Sequence, residues 1–416
     1  MEKLMKILDN SIVTFFLGGI TGYLLDKLLD LFGKILKGIP IKRREKLIHE
    51  YSDVIQSNEF IDYQRNILME YYGEDIFTEV FNKKYPVFCI KGNLKYPFNE
   101  LCEAGFEDDK KIDFEKNKFY RKYRNVVSHT IHRPKMQGFM LDEFILDNEN
   151  KIIGMKTWAG TYDENVYTSH ILEYELFESY KKYKKQNKLI IKNLTLRDNI
   201  HQNKNKIEDL YKGKNRASLL GVQMLIVFKD YKTHKYQVLA IKRSEDVAAK
   251  PGFYQFVPSG GFEVFENSEE HDKHELRENY NVMWAIYREY LEELILGKEN
   301  EYEYGQGGET IAKIERDANI EKIINYISNG KAKCEFLGSV VDLCSLRNEL
   351  SFVLRIDDEE YSKEIFKSNS ESKKINRYFI NELESEIDVE KINPSSAALW
   401  KLFAESNLYK EISDSK

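Results

Sequence analysis

The sequence predicts an α+β fold, and three observations carry that expectation. Two apolar runs, Gly221–Phe228 and Gln237–Ile241, read as paired buried strands across a polar turn. Two more, Cys334–Leu343 and Leu350–Ile356, follow further along the chain, and a closing helix is expected near Ser395–Phe403. Earlier in the chain, Gly138–Leu146 and Lys151–Thr157 flank the turn Asp147-Asn148-Glu149-Asn150, which reads as another strand pair.

The chain has 416 residues, room for two or three domains. We divide it into an N-terminal hydrophobic helix (1–40), an α+β middle domain of unknown role (45–205) and a C-terminal domain (215–410). Ser11 to Leu25 holds no charged side chain, and Leu25, Leu28, Leu29, Phe32, Ile35 and Leu36 continue it as an amphipathic stripe. The uncharged run is shorter than the ~20 apolar residues that cross a bilayer. The basic cluster Lys42-Arg43-Arg44 with Lys46 follows directly. We therefore expect a membrane-associated protein with a transmembrane helix and its large domains on the cytoplasmic side. A purely cytoplasmic protein is the alternative. Gly18 and Gly22 form a G-x-x-x-G pair that admits a homo-oligomer.

The middle segment, about Leu47 to Gln202, begins with helical pattern rich in Tyr, Glu and Lys. It turns to strands and then to a helix at Ile171–Tyr183. Lys184 to Lys214, rich in Lys and Asn, reads as a linker. The default for this segment is packing without chemistry. The net charge of −6 argues against nucleic acid as a partner. Cys89, Cys102, Cys334 and Cys344 form no C-x-x-C pair, so no disulfide scaffold or zinc site is implied. His129 with His132, and His271 with His274, are each three apart, but neither pair has an identifiable third ligand.

Chemistry concentrates in the run Arg288-Glu289-Tyr290-Leu291-Glu292-Glu293. On a helix, Glu289, Glu292 and Glu293 share one face. Three like charges so close repel, and a cation between them would relieve the repulsion. Hard oxygen ligands suit Mg²⁺ or Mn²⁺. Upstream, Gly260-Gly261 permits a tight loop whose backbone can approach a phosphate.

From Phe256 to Gly297 the chain resembles the Nudix hydrolase box, glycine, five residues, glutamate, seven residues, then Arg-Glu-apolar-x-Glu-Glu-x-Gly. Gly260 and Glu266 match its first half; Arg288, Glu289, Glu292 and Glu293 match its second. Pro258, Gly261 and Glu263 resemble the surrounding loop. Two departures stand out. The seven-residue spacer is here 21 residues, Asn267 to Tyr287, and the closing glycine arrives late, as Gly297. The order of strand, strand, glycine loop and helix extends the resemblance from about Ser218 to Phe403.

The resemblance implies a C-terminal Nudix-like α/β/α sandwich with a mixed sheet, and divalent metal held by Glu289, Glu292, Glu293 and the Gly260 backbone. It further implies cleavage of a nucleoside diphosphate-linked small molecule at its pyrophosphate. Glu292 or Glu293, with Glu289 beside them, would help deprotonate the attacking water. Arg288 would orient the loop through a carboxylate such as Glu266, with Gly261 and Glu263 shaping it. Arg243, at the end of a strand, would meet a substrate phosphate. Glu382 and Glu384 are further candidate bases. A membrane anchor on such a domain points to bacterial nucleotide signalling or defence. The alternative is a catalytically weak nucleotide-sensing module coupled to the membrane helix, which the interrupted box favours and the intact carboxylates oppose.

Overall fold

The computed structural model describes residues 41–108, 110–117, 119–128, 135–202, 205–243, 252–264, 271–297, 310–368 and 372–414. Its architecture is α+β, organised on an eleven-stranded mixed sheet among these residues.

The centre of the sheet is β7 (Gly221–Lys229), antiparallel to β8 (Tyr236–Arg243) and parallel to β12 (Asn348–Ile356). Every residue of β7 from Gly221 to Phe228 is buried, as expected for a strand covered on both faces. Its alternation shows how. Val222, Met224, Ile226 and Phe228 join a core with Val282, Ile286 and Tyr290 from the helix α7 (Val282–Tyr290). Leu225 and Val227 join the opposite core, with Leu399 and Phe403 of the closing helix α11 (Pro394–Ala404). The expected strands at 221–228, 237–241, 334–343 and 350–356 and the expected helix at 395–403 are therefore all present, and the period of two sorts their side chains.

The sheet does not stop at the C-terminal half. Strand β11 (Ala332–Asp342) pairs with β12 on one side and on the other with β3 (Val87–Lys95), from Asp342–Val87 to Glu335–Lys95. The first half of the middle segment, expected to be helical, thus contributes a strand as well as α1 (Ile41–Ile55) and α2 (Asn58–Tyr72). Its second half holds β5 (Gln137–Leu146) and β6 (Ile152–Thr161), paired antiparallel. From Thr161 a capped helical turn, Tyr162–Asn165, runs through a π-wound segment, Val166–His170, into α4 (Ile171–Gln186). The tyrosines of α2 and α4 pack against one another with tilted rings, as Tyr63 against Tyr180, and place hydroxyls on polar partners, as in Tyr63 to Ser179 at 2.7 Å.

The Lys- and Asn-rich stretch is anchored rather than loose. It carries α5 (Thr195–Ile200), whose Arg197 is wholly buried and donates to the carbonyls of Leu343 (2.6 Å) and Cys344. Guanidinium hydrogen bonds to buried carbonyls are hard to foresee from a stretch whose composition is otherwise that of a solvated loop.

One expectation is corrected. Among the described residues no helix is long and apolar enough to cross a membrane, so the transmembrane helix and the membrane-associated location do not stand. The segment that suggested them, with Gly18 and Gly22, lies at 1–40, outside the described residues. Its uncharged run, Ser11 to Leu25, is itself too short to span a bilayer. The architectural ground for a signalling or defence role goes with it.

Candidate active site

The site is assembled where the glycine loop meets the carboxylate helix. Strand β10 (Ser259–Gly261) pairs with the start of β7, Gly260 opposite Val222 and Gly261 opposite Gly221. The loop continues as Phe262–Val264, braced on both sides. Phe262 N donates to Leu220 O (2.8 Å), Phe139 N to Phe262 O (3.0 Å) and Val264 N to Gln137 O (3.0 Å). Strand β5 of the middle segment therefore extends directly onto the glycine loop.

Asn281 caps α7 by accepting from Met283 N, and the helix keeps α geometry to Tyr290. From Leu291 to Leu296 it widens to a π-wound segment and ends at Gly297, where φ is 74°. The extra residues before the late glycine are taken up in that wide segment. Such segments recur at functional sites because they redirect side chains without ending the helix.

Glu289, Glu292 and Glu293 all line one cavity of about 440 Å³, together with Gly260, Gly261, Glu263 and Arg243. Glu289 and Glu293 are buried, 8% and 6% exposed, which excludes a merely solvated acidic face. The Glu289 carboxylate lies directly on Gly260, so that a Cβ at this position would fall inside it. Glu293 accepts from Ser259 N at 2.8 Å. Arg288 joins the two halves of the motif: its Nη2 donates to Gly261 O (3.1 Å) and to Glu289 Oε1 (2.6 Å), and its Nε lies 4.0 Å from Glu292 Oε1. Burial opposes the charge on Arg288, but Glu289, Glu292 and Glu263 outweigh it and hold the guanidinium pKa above its ordinary value.

The expected partner of Arg288, Glu266, lies outside the described residues; the contacts seen are the Gly261 carbonyl and Glu289. Arg243 Nη1 donates to Gln255 Oε1 (2.7 Å), placing it on the cavity wall. Glu382 and Glu384 sit at the short turn Leu383–Glu386 and are not among the cavity-lining residues. Of the histidine pairs, His129 and His132 lie outside the described residues. His271 and His274 stand by Glu275 and Glu278 at and near the start of α6 (Lys273–Asn279), away from the cavity lining.

The insertion within the motif has a definite place from His271 onward. Asp272 and Glu275 form a capping box at the start of α6. Beyond its end, Tyr280 stacks on Phe262 (5.7 Å, 14°) and against Phe139 (4.7 Å). The Tyr280 hydroxyl lies 2.8 Å from Thr157 Oγ1 and 3.2 Å from Gly105 O. The added residues therefore pin the loop and the helix start to the middle segment.

Sequence reasoning missed one wall. Tyr162, His170 and Glu173 of the middle segment line the same cavity, as do Asp342, Ser345 and Arg347 from the turn between β11 and β12, and Glu349. Burial and the neighbouring Arg347 push the His170 imidazole down to about 3, against the pull of Asp342, so it is neutral. A usable signal existed for Gln223, which also lines the cavity: it is the one polar side chain in the apolar run Gly221–Phe228, is 1% exposed and donates from Nε2 to Ser351 Oγ at 2.9 Å.

The hard oxygen donors of this wall suit Mg²⁺ or Mn²⁺ by type, and Gly260 leaves the space that brings Glu289 against the loop. Among the described residues, however, no group of three His, Cys, Asp or Glu side chains is gathered tightly enough to enclose a metal ion. Glu289 is engaged by Arg288 and Glu293 by Ser259.

No protein-family model matches the chain, and no curated protein matches it significantly. Among solved structures, part of the chain is similar to Nudix proteins. One is the Nudix domain of Shewanella oneidensis NrtR complexed with ADP ribose, 11% identical over 46% of this chain and 88% of that one, TM-score 0.27. Another is a Nudix hydrolase from Alicyclobacillus acidocaldarius, 15% identical over 47% and 95%, TM-score 0.26. A third is a bifunctional NMN adenylyltransferase/ADP ribose pyrophosphatase from Francisella tularensis, complexed with AMP and a Mn ion, 12% identical over 56% and 52%, TM-score 0.27.

Proposed function

We propose that the protein is a divalent-metal-dependent hydrolase of the Nudix type, which cleaves a nucleoside diphosphate-linked small molecule at its pyrophosphate. The observation that supports this best is the junction of Gly260, Gly261, Arg288 and Glu289. Despite 21 residues between Glu266 and Arg288, the glycine loop and the carboxylate helix lie in contact through Arg288.

In this reading each residue has a task. Arg288 fixes the loop carbonyl of Gly261 and keeps Glu289 against Gly260. Ser259 N holds Glu293 at the cavity wall, and Glu292 or Glu293 takes the proton of an attacking water. Mg²⁺ or Mn²⁺ held by Glu289, Glu292, Glu293 and the Gly260 backbone would polarise the phosphoanhydride and lower the pKa of that water. Arg243 would neutralise charge on a non-bridging phosphate oxygen. A cavity of about 440 Å³ falls in the range of small-ligand sites.

Incubation of the full chain with Mg²⁺ or Mn²⁺ and a panel of ADP-ribose, dinucleotide and cap-like substrates tests this. The expected result is release of a nucleoside monophosphate from at least one of them. A second reading is favoured by the ion pair that Arg288 makes with Glu289 and by the ungathered carboxylates: a sensing module that binds nucleotide without turning it over. Tight binding with no product from any substrate would establish that reading and exclude the first.

A further inference from the structure

The turn between β11 and β12 is held more firmly than a surface connection requires. Asp342 accepts from Cys344 N (3.0 Å) and Ser345 Oγ (2.7 Å), and Leu346 N donates back to Asp342 O (2.7 Å). Leu346 adopts φ of 60°, a left-handed conformation that a side-chain-bearing residue rarely keeps unless its surroundings hold it there. They do. Its carbonyl accepts from Arg216 Nε (3.3 Å), Arg216 Nη2 (3.2 Å) and Ser218 Oγ (3.2 Å), while Arg197 takes the carbonyls of Leu343 and Cys344. Arg197 and Arg216 are 0% and 1% exposed.

This turn presents Arg347 to the cavity. Its Nη2 would lie 3.2 Å from a Cβ placed on Gly221, and the Gly260 carbonyl would lie 3.3 Å from the same point. The guanidinium is therefore beside the glycine loop. Among the described residues its Nε is buried without a hydrogen-bond partner, and Arg347 forms no ion pair there within 4.0 Å. A partly desolvated guanidinium in that state gains strongly from an anion that fills its fork. The neighbouring imidazole, His170, is neutral and cannot take that role.

We propose that Arg347, set beside Gly260 by a turn that Arg197 and Arg216 clamp from behind, binds a phosphate group of the substrate's diphosphate. The planar fork matches two phosphate oxygens at once, which a lysine cannot do. Arg197 comes from the middle segment, as does β3, which pairs with β11 up to Asp342, so the middle segment then helps to set the position of a substrate contact. This inference rests on the pyrophosphate-site reading given above.

Inorganic pyrophosphate with Mn²⁺ is the probe, and isothermal titration of the full chain the measurement. Arg347→Gln is expected to weaken pyrophosphate binding at least tenfold, with Mn²⁺ binding alone and the melting temperature unchanged. Arg347→Lys is expected to recover only part of the loss, since it restores charge without the fork. If the Gln variant misfolds, the Lys variant carries the test. Pyrophosphate affinity within twofold of wild type in the folded variants overturns the proposal, as does wild-type protein that binds no pyrophosphate. The two readings fail separately. Arg347-dependent binding without turnover of any nucleotide sinks the hydrolase and keeps this site. Turnover with a KM and pyrophosphate affinity indifferent to Arg347 does the reverse.

Discussion

Two clusters of buried charge meet at the turn 342–347, and they use the same residue types to opposite ends. Behind the turn, Arg197, Glu175, His201, Asp209 and Arg216 are all buried, and their polar atoms largely face one another, Tyr72 or backbone carbonyls. In front of it, Arg288, Glu289 and Glu293 are about as buried but open onto a cavity whose wall carries an excess of carboxylates. The rear cluster spends most of its hydrogen bonds on the chain itself, so its charge fixes backbone. The front cluster holds its carboxylates on the wall of a cavity, where a ligand can reach them. Burial alone does not mark a site; buried charge on the wall of a cavity does.

The sharpest way to break this comparison is to neutralise the front. Glu292→Gln combined with Glu293→Gln should lower turnover by about 10³-fold, because both metal charge balance and proton transfer are removed. The melting temperature should hold or rise, since like charges are relieved. A fall in stability comparable to the loss of activity would show the front to be structural after all. At the rear the order reverses. Arg197→Ala should cost about 2–6 kcal/mol of stability, because it leaves the buried carbonyls of Leu343 and Cys344 without their donor, at about 1–3 kcal/mol each. Urea unfolding reads that directly. A variant that unfolds at the wild-type midpoint would refute the clamp.

How much of this was legible in the sequence follows the same division. Strands β7, β8, β11 and β12 and the closing helix were readable because each is a long apolar run with its own period and needs no partner to be recognised. The glycine pair and the carboxylate helix were readable because both lie within a short span. Strand β3 was not, since its burial alternates irregularly and its pairing with β11 joins residues some 250 positions apart. Tyr162, His170 and Glu173 were invisible for a related reason. They come to the cavity through the fold of the middle segment, and nothing in their local sequence differs from a packing helix. Arg197 and Arg216 looked like charges in a polar stretch; only the carbonyls of the distant turn give them a role. The hydrophobic N-terminal stretch is the opposite case: its local apolar pattern suggests a membrane span that the length of the uncharged run does not support.

A milder test of the front cluster acts on backbone space rather than charge. In Gly260→Ala the new methyl group falls inside the Glu289 carboxylate, which must turn away from the loop. Mn²⁺ affinity, followed by electron paramagnetic resonance titration, should drop about 10–100-fold, as when the supports of metal ligands are lost. Unchanged affinity would mean that Glu289 does not hold the ion.

The smallest expected effect belongs to the rear and is read as a pH dependence. Burial pushes Glu175 up to about 7 from 4.5, despite Arg197 and the amides of Leu196 and Arg197 that favour its charge. Between those values the folded protein keeps a proton on Glu175 that the unfolded chain has released, so this group lowers stability as pH rises from about 4.5 to 7. His201 acts in the other direction. Its imidazole is held down to about 3 by burial and by Arg216, Arg197 and Lys206, so its contribution fades as pH falls below about 6.5. The two slopes partly cancel in the wild type, and Glu175→Gln removes only the first. The melting temperature of the variant minus that of the wild type should therefore climb steadily from pH 4.5 to 7 and level off above it. A difference that is flat across this range would mean that Glu175 is already ionised in the folded protein, and the rear cluster would then carry a net charge closer to that of the front.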